Sequence, residues 1–218
     1  MATPEQSLLT RPTTLVLCDA DLPGIVAAAA TREGEPSAPD TPWPLLMPFP
    51  ASDPLTQARE PACLRIAELL SFRIAPPPAP IAARTVGESE CHDLMAAAFV
   101  AAALGCNSLV WPAHAGRGDA VDIDRLAQIQ DRAALISRLV SLEARGVSGD
   151  QFTIQTPVAD LTDLQLAELA ADLAAPVEAA WWADRASTLP QAAAAIARWE
   201  SLLIDAGLGI GPSRTGRR

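Results

Sequence analysis

Thr13-Thr14-Leu15-Val16-Leu17-Cys18 is a run of β-branched and aliphatic residues, and Asp19-Ala20-Asp21-Leu22-Pro23-Gly24 interrupts it before the apolar stretch Ile25 to Thr31. The pattern predicts a buried strand, a turn and a helix. Pro23 suits the first turn of that helix, where a missing N–H costs nothing.

The same alternation continues outward. A Pro-, Ser- and acid-rich loop, residues 33–44, leads to a short strand at Leu45-Leu46-Met47. Helical spacing follows over Gln57 to Ser71, then a third strand at Phe72-Arg73-Ile74. Ala75 to Pro80 is a stiff connector of polyproline character. Glu88-Ser89-Glu90 opens a helix over Cys91 to Leu104, which Gly105 stops. Asn107 to Trp111 predicts a strand, His114 to Asp119 a polar loop, and Asp122 to Glu143 a long amphipathic helix. Phe152 to Gln155 predicts the fifth strand. Thr162 and Gln165 form a capping box for a helix running to about Leu173. The last helix spans Pro190 to Ala206 and ends at Gly207.

Strands alternating with helices predict an α/β fold: a Rossmann-like parallel sheet of five strands with helices on both faces and a C-terminal helical segment. The expected organisation is a tail at 1–12, the α/β domain at 13–175, a helical extension packed on it at 176–208, and a disordered tail at 209–218. In such sheets ligands bind beyond the carboxyl ends of the strands, where strand order reverses. Those ends are the Cys18–Gly24 turn and the Trp111–Asp119 loop.

The chain has 218 residues, half of them apolar, enough for one buried core. Its 26 acids against 16 bases give a net charge of −10, which disfavours nucleic acid as a partner. The basic tail of Arg214, Arg217 and Arg218 is too short to reverse that. No apolar run reaches the ~20 residues that span a membrane. Residues 1–10 do not read as a signal peptide, so the expected compartment is the cytoplasm. Cys18, Cys63, Cys91 and Cys106 contain no CxxC pair and are expected to be free thiols. Asp119, Asp122 and Asp124 lie near His114. They offer a divalent-metal site or, in the preferred reading, the acid-rich start of a helix. Gly207-Leu208-Gly209-Ile210-Gly211 follows a helix rather than a strand, the wrong context for a dinucleotide loop.

Several segments in order carry a resemblance: Arg65 to Leu70; Arg84-Thr85-Val86-Gly87 with Leu94 to Gly105; Leu109 to Ala115; Ile154-Gln155-Thr156-Pro157 through Asp160-Leu161-Thr162; and Arg198-Trp199-Glu200 with Asp205 to Leu208. Together, over roughly residues 13–208, the chain resembles the 7-cyano-7-deazaguanine synthases of the PP-loop ATP pyrophosphatase superfamily. The resemblance implies an ATP- and Mg²⁺-using, C–N bond-forming enzyme of deazapurine (queuosine-related) metabolism that forms dimers. It implies nucleotide-site candidates at Cys18, Asp19, Asp21, Gly24, Gly87, His114 and Arg125.

Three departures stand against activity. The family's Ser-Gly-Gly-x-Asp-Ser loop, whose glycines let N–H groups reach phosphates, is replaced by Cys18-Asp19-Ala20-Asp21-Leu22-Pro23-Gly24. Asp19 and Asp21 bring like charge to a triphosphate. The family's zinc cysteines are missing around Ala179 to Asp184, where Trp181 and Trp182 stand, so zinc is not expected. The central Tyr-Pro-Asp-Cys-Arg signature is absent, and only Arg125 matches its arginine. The resulting expectation is a pseudo-enzyme, with no assigned catalytic residue or metal ligand, acting as a binding or regulatory protein. Its expected partners are a second copy or another protein, or a small nucleotide-like ligand.

Overall fold

The computed structural model describes residues 14–34, 44–49, 55–78, 86–143, 151–184 and 189–209. The two terminal tails, most of the 33–44 loop, the end of the proline connector and Arg84-Thr85 lie outside them.

β1 (Thr14–Cys18) is the middle strand of a five-stranded parallel sheet, with β2 (Leu45–Pro48) on one side and β4 (Ser108–Val110) on the other. β3 (Arg73–Ile74) lies outside β2, and β7 (Thr153–Gln155) outside β4. The order β3-β2-β1-β4-β7 reverses direction between β1 and β4. The fold is therefore the α/β parallel sheet that the strand–helix alternation predicts.

Alternating β1 side chains divide the core. Leu15 and Leu17 pack with Met47, Leu94, Leu109, Ile129 and Val140 under α3 (Val86–Ala103) and α4 (Ile123–Glu143). Val16 and Cys18 face the opposite layer. It is built from α1 (Leu22–Gly34), α2 (Thr56–Leu69), α5 (Asp163–Asp172) and α6 (Pro190–Asp205). Trp182 and Trp199 are the largest fully buried side chains of that second layer.

Local signals set the helix ends. Thr162 Oγ1 accepts from the Gln165 N–H while the Gln165 side chain accepts from the Thr162 N–H, the capping box the sequence predicts. Gly105 and Gly207 close α3 and α6, and the next residue's N–H returns to Ala101 O and Leu203 O. α1 begins at Leu22, with Pro23 in its first turn as the sequence predicts, and α3 begins at Val86, two residues before Glu88. The loop after β4 also holds a hairpin, β5 (Gly116–Arg117) and β6 (Ala120–Val121), that no periodic signal announces.

The β7 edge is closed by α4. Ser137 Oγ accepts from the Ile154 N–H at 2.8 Å, and Ser141 Oγ accepts from the Phe152 N–H at 3.1 Å. No helix among the described residues is long and apolar enough to cross a membrane.

Candidate functional site at the β1 and β4 ends

The crevice where strand order reverses is bounded by the β1–α1 loop and by the segment after β4. In the loop, Asp19 Oδ1 accepts from the Asp21 N–H at 3.0 Å, and Asp21 Oδ1 accepts from the Leu22 N–H at 2.8 Å. Pro23 has no N–H. The donors that would turn towards a phosphate are thus held by the loop's own carboxylates or missing. Ala20 adopts φ 56°, a left-handed conformation that glycine takes more cheaply. Gly24 is required for close approach: a Cβ there would lie 2.5 Å from Asp19 Oδ1. The Asp19 carboxylate therefore rests against the first turn of α1, where an anion would sit.

Burial, and then the neighbouring Asp21 charge, push the Asp19 carboxyl up to about 6, against the opposing pull of Arg59 and the backbone N–H groups. Arg59, on α2, stacks its guanidinium 5.7 Å from the Trp181 ring centre. Cys18 is buried, and its carbonyl accepts from Phe49 N at 2.8 Å and from Cys63 Sγ at 3.1 Å. The hydrogen bond with Cys63 and burial raise the Cys18 thiol well above its ordinary range, which makes it a poor nucleophile.

The C-terminal segment seals this loop. Trp182 Nε1 donates to Asp21 Oδ1 at 2.6 Å, and the Trp181 N–H donates to the Ala20 carbonyl at 3.1 Å. A 3₁₀ turn, Val177–Ala179, brings the two tryptophans there. Both are buried.

On the β4 side Arg198 of α6 is the organising residue. Its Nε and Nη2 donate to the two oxygens of Asp163 at 3.0 and 2.7 Å, and Nη2 also donates to the Gly116 carbonyl at 2.8 Å. The Gly118 N–H completes the Asp163 shell at 2.9 Å. Although burial works the other way, the Arg198 and Gly118 hydrogen bonds hold the Asp163 carboxyl below its ordinary range.

His114 lies beside this pair, with Nδ1 3.4 Å from Arg198 Nη2 and its ring 6.1 Å from that of Trp199. A guanidinium offers only donors, so Nδ1 is the acceptor in that contact, with Asp163 Oδ1 3.8 Å from the same nitrogen. Nε2 is buried without an aligned hydrogen bond, the Leu161 carbonyl alongside it. Burial and the Arg198 charge lower the His114 pKa. The ring occupies space that only Gly116 leaves free: a Cβ there would lie 2.5 Å from His114 Cε1.

Cys18, Asp19, Asp21 and Gly24 thus form one loop, and His114 belongs to the β4 wall. Arg125 is not turned to either. Its guanidinium pairs with Glu90 of α3 at 2.6 Å, and Arg132 joins the same carboxylate. Gly87 lies in the first turn of α3. Asp122 takes the helix-start role: Oδ1 accepts from the Arg125 N–H at 3.0 Å. Among the described residues no three metal-ligating side chains cluster. Arg59, Asp163 and Arg198 also shape the crevice; Arg198 enters the sequence reading only within the Arg198-Trp199-Glu200 segment of the resemblance, and Arg59 and Asp163 do not enter it as site residues. Each is one charged residue on a helix, and their partners lie 35 or more residues away where an interaction is direct.

No protein-family model matches the chain, and no curated protein matches it either. The crevice geometry therefore carries the functional reading.

Proposed function

We propose that the chain is a divergent 7-cyano-7-deazaguanine synthase-like protein that has lost ATP pyrophosphatase activity and works as a binding or regulatory protein. The observation that supports the loss of ATP chemistry most directly is the internal use of the phosphate-facing donors. Asp19 and Asp21 take the N–H groups of Asp21 and Leu22, and Trp182 covers Asp21. A triphosphate would have to break these bonds and approach two carboxylates, each costing roughly 1–4 kcal/mol at moderate screening.

Calorimetric titration with ATP and Mg²⁺ tests the reading. The expected outcome is no saturable heat. Binding tighter than about 100 μM, roughly 5.5 kcal/mol, would overturn it and favour an active ATP-dependent enzyme of deazapurine metabolism.

A further inference from the structure

Alternation along β1 turns Cys18 towards the layer that holds α1 and α2, and Cys63 lies on the buried face of α2 with Ala62, Ile66 and Ala67. Both cysteines are fully buried. The Cys63 thiol donates to the Cys18 carbonyl at 3.1 Å, so its single proton is committed there. The hydrogen bond between the two thiols therefore runs from Cys18 to the Cys63 sulfur. The Ala20 N–H is hydrogen-bonded to the Cys18 sulfur, as a donor that steadies a thiolate. Two sulfurs thus meet on rigid elements. One ends the central strand, where the Phe49 N–H pins the Cys18 carbonyl at 2.8 Å, and the other sits in mid-helix. Cys91 and Cys106 belong to the opposite layer. Among the described residues no third His, Cys, Asp or Glu joins the pair to make a larger metal-ligating group.

We propose that Cys18 and Cys63 form a two-coordinate site for a soft, closed-shell monovalent metal ion of the copper(I) type. The donor set makes the selection. Magnesium and calcium need a shell of oxygens, and structural zinc needs four ligands. Two thiolates in line satisfy a soft monovalent ion and leave those others unsatisfied. On binding, both S–H bonds break, two sulfur–metal bonds form and two protons pass to solvent, with no change in oxidation state. The Ala20 N–H remains on the Cys18 sulfur as an outer-shell donor. The complex carries one negative charge, which that N–H offsets and the adjacent Asp19 carboxylate opposes. Such a site would tie the end of β1 to α2 directly beneath the Asp19–Gly24 loop.

Anaerobic titration of the full chain with copper(I) held by bicinchoninate, a coloured chelator, tests the site. The wild type is expected to withdraw one ion per chain. Cys18→Ala and Cys63→Ala should each weaken that binding by about 100-fold or more. Cys91→Ala and Cys106→Ala should leave it unchanged. Thermal unfolding of each metal-free variant shows that it is folded. X-ray absorption at the copper edge of the loaded wild type needs no variant, and should show two sulfur neighbours and no third ligand. A wild type that withdraws no copper overturns the proposal. So does binding that survives in folded Cys18→Ala or Cys63→Ala, and so does an absorption spectrum with three or more neighbours.

Discussion

Asp19 and Asp163 both stand beside the first turn of a helix at the carboxyl edge of the sheet, yet they titrate in opposite directions. Asp163 meets a guanidinium that grips both its oxygens and a backbone N–H at Gly118. Asp19 meets backbone N–H groups and a second carboxylate, with Arg59 near but making no ion pair with it among the described residues. Burial penalises both charges. The difference is the partner, and it divides the crevice into a wall that is locked and a loop that carries electrostatic strain.

Removing Arg198 tests the locked side and should have the largest effect. Arg198→Ala leaves the Asp163 carboxylate, 5% exposed, with the Gly118 N–H as its hydrogen bond and His114 Nδ1 3.8 Å away. A loss of about 2–3 kcal/mol in urea unfolding at pH 7 is expected. Because the folded pKa of Asp163 is lowered, its contribution is complete above its unfolded value of 3.8 and fades as pH falls through the folded one. A loss under about 1 kcal/mol would remove the contrast between the two walls.

Asp19→Asn tests the strained side, with the opposite sign. The folded pKa is raised from 3.8 to about 6, so the favourable contribution is complete below 3.8 and lost as pH rises through about 6. The amide keeps the acceptor for Asp21 N and the fit against Gly24. Stability should rise by about 1–3 kcal/mol at pH 7.5, with no gain near pH 4. Equal gains at both values would mean that the charge is not the cause.

The smallest effect is expected at His114, on the β4 wall. Its folded pKa lies below 6.5, so its contribution is present above 6.5 and lost as pH falls. His114→Asn keeps an acceptor for Arg198 and removes the titration. The change at pH 7.5 should stay under about 1 kcal/mol, with a shallower loss of stability on acidification.

The frame of the molecule was legible because its signals are local. Leu15 to Cys18 as a strand, Thr162 with Gln165 as a cap, and Gly207 as a stop need only near neighbours. Asp19 and Asp21 were also visible as intruding charges. Their use of the loop's own N–H groups was not, since it depends on Ala20 adopting a positive φ. The locks were hidden for a different reason. Trp182 and Asp21 are 161 residues apart, and Arg198 reaches back 35 residues to Asp163. Arg125 shows the reverse case: a plausible site arginine is claimed by Glu90 on a neighbouring helix.

The serines that close β7 limit how this protein can be recognised. With the Phe152 and Ile154 N–H groups already held by α4, that margin offers no template for an incoming peptide strand, native or misfolded. The opposite margin, β3, is two residues long and runs straight into Ala75-Pro76-Pro77-Pro78, where three consecutive residues have no N–H. Backbone zippering is thereby denied on both flanks. Anything that finds this molecule must read its side chains.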